Sequence, residues 1–378
     1  MNRPLRVCVL GSCNLQHFPI IDYGGIESCV EHLCTGIHSH FSDKIKFCVI
    51  VPKIFKKREV TSQFKFNIIE ANYVGCSSSG IHPINFALEA KEMIRSSPIR
   101  PDIIWSYGDW SAKGLHDLGI PIISTILDSG PWIDGKFIFK ENIHYRFASK
   151  FLYDLVLQDA ATDKTVADIK TNSFWCHTGL DDYEFDFEPN KDGYILWVAG
   201  LHWGMGGKGL DTFIELAKRL PEQEFVAYGT GDDGVAAQLR QIAHGIPNLS
   251  FRGVLARDES HRAAFKKAKM FAMLTRIPEA FGRTNIEAIS KGTPVIGSMY
   301  GAVPELVNHP ETGFCSNNID ELVNAIKMNK FNNRECFEFA RSRYHIKTEI
   351  KSLMQYSEKI LNRDKGYKCH GVCTDWVF

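Results

Sequence analysis

Two glutamates frame a short segment whose residues could bind a phosphorylated ligand: PEAFGRTNIEAISKGTPVIGS, residues 278–298. Glu279 lies on a predicted loop, and Glu287, eight residues later, lies inside a predicted helix. The first N–H groups of that helix, near Arg283 and Thr284, are free to bind an anion such as a phosphate. Glu287 could accept hydrogen bonds from the vicinal hydroxyls of a ribose, and Glu279 could reach the hydroxyls of a sugar. The spacing thus indicates a site for a ligand that carries both phosphate and hydroxyl groups.

The same residues also fit a purely structural motif. Thr284 followed three residues later by Glu287 is a capping box, in which the glutamate accepts a hydrogen bond from the Thr284 backbone. The local pattern alone favours the capping box, and only the surrounding sequence favours a binding site.

Predicted strands and helices alternate along both halves of the chain. In the first half we predict strands at 5–11, 45–51, 66–74, 102–105 and 121–127, and helices at 26–37, 84–94 and 142–157. In the second half we predict strands at 194–200, 224–229, 249–251, 270–274 and 295–297, and helices at 210–220, 235–244, 259–268 and 284–290. An acidic, turn-rich stretch near residue 180 separates the halves. The alternation predicts an α/β fold with two doubly wound, Rossmann-like parallel-sheet domains.

Ligands of such sheets bind beyond the carboxyl ends of the strands. Two facing domains of this kind place a central cleft between two such edges. We therefore expect the segment around Glu279 and Glu287 to line that cleft.

Composition limits the classes of protein to consider. The chain has 378 residues, of which 44% are hydrophobic and 23% charged, as in soluble globular proteins of about two domains. Lys and Arg together equal Asp and Glu at 44 each, so the basic excess typical of nucleic-acid binders is missing and no nucleic-acid partner is expected. No apolar run reaches about 18 residues, so no membrane-spanning helix is predicted.

The 11 cysteines are an odd number, and several lie in predicted buried elements, such as Cys8 in a strand and Cys29 in a helix. This usage is typical of a reducing compartment and predicts a cytoplasmic protein. Cys369 and Cys373 lie beside His370 but lack a second pair at zinc spacing, so we predict no metal site.

Six segments together resemble the retaining, nucleotide-sugar-dependent glycosyltransferases of the GT-B fold, family 4, whose signature is E-x7-E. These segments are Gly24-Gly25-Ile26-Glu27, Gly207-Lys208-Gly209, YGTG at 228–231, FRGVL at 251–255, EAFGRTNIEA at 279–288, and AVPELV with TGF within 302–314. Their order and spacing are those of the family, and the resemblance covers most of the chain. It implies a GT-B architecture and transfer of a sugar from a nucleoside diphosphate to an acceptor hydroxyl, with retained stereochemistry.

The resemblance also implies roles for individual residues. Glu287 would hold the ribose hydroxyls of the nucleotide, and Glu279 the transferred sugar. Phe281 and Gly282 would let the backbone approach the ligand, and N–H groups from Gly282 to Thr284, Arg283 included, would bind the diphosphate. Lys208 would neutralise the charge of the departing phosphate.

Two further sets of residues complete the implied donor site. Gly24 and Gly25 would approach the diphosphate from the N-terminal domain, and backbone groups near Val254 and Leu255 would meet the base. The family uses no metal, and the nucleotide sugar is a co-substrate, so no cofactor is expected.

The sequence departs from the family pattern at two places. The stretch AGLHWGMGGKG, residues 199–209, has Leu201 and His202 where the family has an arginine near the phosphate, a role that Arg283 or Arg276 could take. Leu127 stands where the family commonly has a histidine near the hydroxymethyl group of the sugar. Asp109, Leu127 and Asp128 are the candidates for the acceptor or sugar pocket.

The resemblance implies a division of labour between the domains. Residues 1–180 would form the acceptor-side domain, with a C-terminal helix, about 347–378, packing back on it, and residues 181–346 would bind the nucleotide sugar. The acceptor would be a glycan or a lipid-linked glycan. Two basic, aromatic segments, 53–58 and 135–151, could contact an anionic membrane peripherally; alternatively the first is a solvated loop and the second a core-facing helix.

Two other functions stay open at this point. A non-hydrolysing sugar-nucleotide epimerase shares the fold but needs histidines and acids arranged for proton abstraction, and no matched set is evident. A non-catalytic GT-B protein that only binds a sugar nucleotide or a glycan is the other alternative.

Overall fold

The computed structural model describes residues 3–12, 25–53, 66–74, 84–127, 142–160, 162–307 and 309–363. Within these ranges the strands form two separate parallel sheets, one in each half of the chain. Helices follow the strands and cover the faces of the sheets. The predicted fold class, two Rossmann-like α/β domains, is confirmed.

The first sheet has seven strands among the described residues, in the order β3-β2-β1-β4-β5-β6-β7. The strands are β1 Leu5–Leu10, β2 Ile45–Lys53, β3 Asn67–Val74, β4 Ile103–Tyr107, β5 Ile122–Ile126, β6 Ile143–Phe147 and β7 Ser173–Trp175. The helices of this half are α1 Gly25–His40, α2 Ile84–Ser96, α3 Asp109–Gly114, α4 Lys150–Gln158 and α5 Asp163–Asn172. The central strands are buried along their whole length, as strands covered on both faces should be.

The second sheet has the order β10-β9-β8-β11-β12-β13 over the described residues. Its strands are β8 Ile195–Gly200, β9 Phe225–Thr230, β10 Leu249–Phe251, β11 Met270–Met273, β12 Val295–Gly297 and β13 Gly313–Cys315. The remaining helices are α6 Gly204–Gly207, α7 Leu210–Arg219, α8 Asp233–His244, α9 Glu259–Lys267, α10 Arg283–Ile289, α11 Val303–Val307, α12 Ile319–Met328, α13 Asn333–Arg343 and α14 Ile346–Arg363.

The predicted helix 142–157 is wrong over its first half. Residues Ile143–Phe147 form β6, and the helix α4 starts only at Lys150, with Ser149 as its N-cap. The prediction placed the segment in one helix, whereas β6 is a strand that carries two polar residues, His144 and Arg146. Both are buried in the sheet, so this part of the segment 135–151 is not a membrane-contacting surface. Residues 54–58 of the first basic, aromatic segment and 135–141 of the second lie outside the described residues.

Arg146 is accommodated in the core by long-range partners. Its Nη1 lies 2.6 Å from Glu349 Oε1 on α14, and the two side chains are 0% and 1% exposed. The hydroxyl of Tyr107 donates to the same carboxylate, and so does the Gly179 N–H. A buried arginine requires such a set of partners, since an unpaired charge there would be strongly unfavourable.

The chain crosses between the two halves twice, and the crossings are hydrogen-bonded to each other. The Leu180 N–H donates to the Tyr344 carbonyl, and the Ile346 N–H donates to the Leu180 carbonyl. Gly179 is required here, because a Cβ would lie 2.5 Å from the Ile346 Cα. The stretch near residue 180, predicted as a linker, is therefore partly buried, with Glu184 4% exposed.

Helix α14 packs on the first half of the chain. Its buried residues join the hydrophobic core around β1, β4 and α1, together with residues of those elements; they are Ile346, Ile350, Leu353, Tyr356 and Ile360. Residues 364–378 lie outside the described ranges, and with them the cysteine pair near the C-terminus. The seven described cysteines are all free thiols. No helix in the described ranges is long and apolar enough to span a membrane.

Candidate functional site

Lys208 and Glu279 meet at the centre of the second sheet. Lys208 follows β8 and Glu279 follows β11, which are neighbours in the sheet. The strand order reverses between them, and sheets of this kind bind ligands at such a point. The Lys208 Nζ donates to Glu279 Oε2 at 2.5 Å, and the two side chains are 19% and 18% exposed. A cation and a carboxylate thus face the same partly open space.

The backbone around Lys208 is fixed by a close approach to β11. Gly209 has φ 71°, and a Cβ there would lie 1.8 Å from the Leu274 carbonyl oxygen. The indole N–H of Trp197 donates to the Lys208 carbonyl at 3.0 Å. The predicted glycine-rich loop includes the single helical turn α6, and these contacts hold Lys208 at its end.

Glu279 lies on a loop that is held from both sides. The Ala302 N–H donates to the Glu279 carbonyl at 2.7 Å, and Gly301 leaves no room for a Cβ against the Glu279 backbone. On the other side, the Ser149 hydroxyl donates to the Ala280 carbonyl at 2.5 Å. The next residue, Phe281, is 4% exposed, so its side chain belongs to the core and only its backbone can face a ligand.

Helix α10 begins at Arg283, one residue earlier than predicted, with Gly282 as its N-cap at φ 79°. No side chain caps this terminus among the described residues, so its first N–H groups have no side-chain acceptor there. Asn285, in the first turn, is fully buried, and neither polar atom of its side-chain amide has a hydrogen-bond partner among the described residues. Orphaned buried amides are rare in folded proteins.

Glu287 is buried between two arginines. Its Oε1 accepts a hydrogen bond from Arg257 Nη2 at 2.6 Å and lies 3.3 Å from Arg283 Nε. Its Oε2 is buried without a hydrogen-bond partner among the described residues and lies 3.7 Å from His261 Nε2. The carboxylate therefore pairs with arginine and does not reach the Thr284 backbone, so the arrangement is not a capping box.

The charges around Glu287 set its protonation state and that of a neighbouring histidine. Burial alone would raise the pKa of Glu287, but the Arg257 charge and hydrogen bond hold that pKa below its usual value. Burial and Arg257 also lower the pKa of His261 to about 4. At neutral pH the site thus contains an ionised carboxylate beside a neutral imidazole.

Arg283 connects the two domains. Its Nε donates to the Ser28 hydroxyl on α1 at 2.9 Å, and Arg257 Nη2 donates to the same hydroxyl at 2.7 Å. Arg283 Nη2 is buried and has no partner among the described residues. Arg276 instead pairs with Asp211 at 2.7 Å and is 55% exposed. Arg283 and Arg276 were the two candidates to replace the family's arginine near the phosphate. Arg283 lies at the buried end of the cleft, whereas Arg276 is exposed.

The other residues predicted to bind the nucleotide sugar lie at the edges of the group formed by Arg257, Arg283 and Glu287. Gly25 begins α1, three residues before Ser28, while Gly24 lies outside the described residues. Val254 is 60% exposed on the loop after β10, and Leu255 is 8% exposed in the core with Phe281. The backbone at Val254 is thus open to a ligand, whereas the Leu255 side chain supports the loop from below.

Leu127 lies at the end of β5 and packs against the hydrophobic cores of both domains. Its surroundings are apolar where the family pattern has a histidine. The Asp109 side chain and the whole of Asp128 lie outside what the structure describes.

Three residues of the site were not predicted from the sequence: Arg257, Ser28 and Glu305. Arg257 follows FRGVL by two residues, and Ser28 follows the double-glycine segment directly, so both lie next to motifs that had been recognised. Glu305 lies within AVPELV and accepts hydrogen bonds from the N-terminal half of the chain. The only available signal was that proximity.

A second polar cluster lies at the crossing between the domains and could in principle hold a metal. Asp182 contacts His345 Nε2 at 2.7 Å and His40 Nε2 at 3.0 Å. However, His345 Nδ1 accepts the Lys347 N–H, which places the ring proton on Nε2, directed at Asp182. A metal ligand needs that nitrogen deprotonated, so His345 donates to the carboxylate in this arrangement.

Comparison with known proteins adds a family match. Residues 192–328 match the model of the family described as glycosyl transferases group 1. This range contains all six strands of the second sheet, β8 to β13, and with them Lys208, Arg257, Glu279 and Glu287.

Solved glycosyltransferases share the fold over nearly the whole chain. A glycosyltransferase of Rickettsia africae is 15% identical with a TM-score of 0.69, over 95% of this chain and 99% of that one. The HepE protein of Anabaena, solved with UDP and glucose, is 15% identical with a TM-score of 0.68, over 94% and 100%. Sucrose-phosphate synthase of Thermosynechococcus elongatus is 13% identical with a TM-score of 0.66, over 95% and 100%. The chain therefore has the GT-B fold, and its second domain matches the group 1 glycosyl transferases.

Proposed function

We propose that this protein is a retaining glycosyltransferase that moves a sugar, a hexose or its deoxy form, from a nucleoside diphosphate to an acceptor hydroxyl. The observation that carries the proposal is the contact between Lys208 and Glu279, residues 71 positions apart in the chain. It pairs a cation suited to a departing phosphate with a carboxylate suited to sugar hydroxyls. The group 1 family match and the neighbour solved with UDP and glucose support the same reading.

The nucleotide would bind between Lys208 and Glu287. Oε2 of Glu287, which has no hydrogen-bond partner among the described residues, would accept a hydrogen bond from a ribose hydroxyl. The backbone at Val254 would meet the base. The diphosphate would bind the N–H groups at the start of α10 and the Nη2 of Arg283, which lacks a hydrogen-bond partner in the part of the chain that the structure describes. Such preorganised donors stabilise the charge that develops on a leaving group.

In this proposal the diphosphate itself accepts the proton of the acceptor hydroxyl, and the protein acts by positioning and charge stabilisation. Lys208, Arg283 and the helix N–H groups supply positive charge to the phosphates without a metal or another cofactor. We further propose residues 1–180 as the acceptor-side domain and residues 181–346 as the donor domain. The acceptor would be a glycan or a lipid-linked glycan, in which case the N-terminal domain would approach the membrane surface.

Donor binding followed by turnover tests the proposal. UDP-, GDP- and dTDP-sugars are screened by thermal shift, since a donor at about 100 times its dissociation constant adds about 2.7 kcal/mol of stability. Release of the nucleoside diphosphate with a panel of glycan acceptors, and the anomeric configuration of the product by NMR, then establish the reaction. Binding without turnover would support a binding protein, and interconversion of free sugar nucleotides would support an epimerase. A product with inverted anomeric configuration would contradict only the retaining mechanism and not sugar transfer itself.

A further inference from the structure

Glu305 bridges the two domains behind the Glu279 loop. Its Oε1 accepts the Lys150 N–H at 2.9 Å and contacts His177 Nε2 at 2.6 Å, and its Oε2 accepts the Phe151 N–H at 2.9 Å. Glu305 lies on α11 of the C-terminal half, whereas all three partners belong to the N-terminal half. The side chain is 19% exposed.

The bridge satisfies a helix terminus that lacks its own acidic residue. Helix α4 has no acidic side chain in its first turn, although a negative charge there is favourable and free N–H groups require acceptors. Glu305, from the other domain, supplies both the negative charge and the acceptor oxygens. Burial alone would raise the pKa of Glu305, but the His177 contact and the two N–H groups hold that pKa below its usual value, so the carboxylate is ionised.

The same turn of α4 also holds the loop that carries Glu279. Ser149, the N-cap of α4, accepts the Leu152 N–H and donates to the Ala280 carbonyl. The segment leading into α11 contacts the Glu279 backbone through Gly301 and Ala302. The loop is thus enclosed between the start of α4 and the start of α11, and Glu305 joins these two helix starts.

We propose that Glu305 is a positioning residue for sugar transfer, which sets the place of Glu279 relative to the N-terminal domain through the first turn of α4. The inference rests on the proposed function. Among the described residues no hydrogen bond or ion pair joins Glu305 to Glu287 or Val254, which are proposed to hold the nucleotide, so its loss should affect the sugar and leave the nucleotide unaffected.

The test compares Glu305→Gln with wild type, using whichever donor the wild-type protein cleaves from a panel of hexoses and 6-deoxyhexoses linked to UDP, GDP and dTDP. Glutamine cannot accept both backbone N–H groups and the His177 proton, because its amide nitrogen is a donor. We expect affinity for the free nucleoside diphosphate within about twofold of wild type. The rate of sugar release should fall about tenfold or more, since small displacements of a positioning group cost this much.

Two other variants make the result specific. Asp102→Asn is the matched control: Asp102 also accepts a backbone N–H and pairs with arginines, at the opposite, amino end of the first sheet. Asp102→Asn should leave both the affinity for the nucleoside diphosphate and the rate of sugar release unchanged. Ser149→Ala removes the hydrogen bond that holds the loop at Ala280 and should also lower the rate of sugar release. It provides the test if Glu305→Gln does not fold.

The outcomes separate this inference from the proposed function. Wild-type protein that cleaves no donor contradicts the function itself, and with it the inference, before any variant is examined. Cleavage by wild type with an unchanged rate in Glu305→Gln overturns the inference alone. A parallel loss of nucleotide affinity and rate also overturns it, because a merely structural role predicts that pattern.

Discussion

At the scale of single residues, a substitution of Glu287 distinguishes two roles for its carboxylate. It either binds the ligand or forms an ion pair that only stabilises the fold. Glu287→Gln removes the charge that a ribose hydroxyl would meet, and hydrogen bonds to charged groups contribute about 1.5–3 kcal/mol. We expect affinity for the nucleoside diphosphate, measured by calorimetry, to fall about tenfold or more. Arg257 retains its contact with Ser28 in the variant, so the protein should stay folded. Unchanged affinity would show that Glu287 only pairs with the arginines.

Lys208 is expected to act on the reaction more than on binding. Its amine would meet the charge that develops on the diphosphate, so Lys208→Ala should lower kcat by more than it raises KM. Removal of one such donor typically costs about 10²–10³ in rate. Steady-state kinetics with the donor and acceptor identified above measure both constants. A near-normal kcat would assign the role to Arg283, whose Nη2 has no hydrogen-bond partner within the described ranges.

Leu127 predicts which sugar the pocket prefers. A hydroxymethyl group against an apolar side chain leaves its hydroxyl unpaired, at a cost of about 1–3 kcal/mol, whereas a methyl group does not. Competition between a 6-deoxy donor and its 6-hydroxy counterpart on the same nucleotide should favour the deoxy sugar, and Leu127→His should reverse that preference. A tenfold wild-type preference for the hydroxylated sugar would refute the assignment.

At the scale of elements, the close approach of Gly209 to β11 should be essential for the position of Lys208. Gly209→Ala combines a left-handed backbone with a Cβ 1.8 Å from a carbonyl oxygen. Gly119→Ala is the matched control, since Gly119 has φ 62° and ψ 29° but its nearest atom is the flexible end of Arg100, at 3.7 Å.

The left-handed conformation costs about 1–2 kcal/mol in both variants, and overpacking adds about 1–3 kcal/mol in Gly209→Ala alone. Urea denaturation should therefore show the larger loss for Gly209→Ala. Equal losses in the two variants would mean that the contact with Leu274 relaxes freely.

The sequence pattern predicts elements whose buried residues are apolar. It fails to predict elements that bury polar residues. The strands β4 and β5 are near-continuous apolar runs and were predicted within one or two residues. Strand β6 was not, because the partner that permits Arg146 in its interior is Glu349, 203 positions away. The same limit applies to the site: motifs identified Glu279 and Glu287, but the pairing of Glu287 with Arg257 depends on a loop that only folding brings close.

At the scale of the whole molecule, the buried charges between the domains predict a stability that depends on pH. His32 is fully buried and accepts the Asp181 N–H, and burial followed by the Arg283 charge holds its pKa well below the usual value. The pKa of His261 is about 4. Both imidazoles are neutral in the folded state, whereas in the unfolded chain they bind protons below about pH 6.5.

Stability from these two histidines is therefore complete above about pH 6.5 and declines as the pH falls toward 4, because the unfolded state takes up more protons. Each histidine contributes a slope of up to about 1.4 kcal/mol per pH unit. Urea denaturation between pH 7.5 and 5 measures the slope, and His261→Gln should reduce it. A free energy of unfolding that is flat over this range would contradict the burial of both imidazoles as neutral groups.

The return of α14 to the first domain has a consequence for synthesis on the ribosome. The N-terminal core includes Ile346, Ile350, Leu353, Tyr356 and Ile360, so its apolar surface stays incomplete until α14 has been translated. The C-terminal domain, which is contiguous between the two crossings, can fold before the N-terminal domain that precedes it. Nascent chains truncated before residue 346 should therefore present the face of α1 to chaperones, although every strand of the first sheet has already been made.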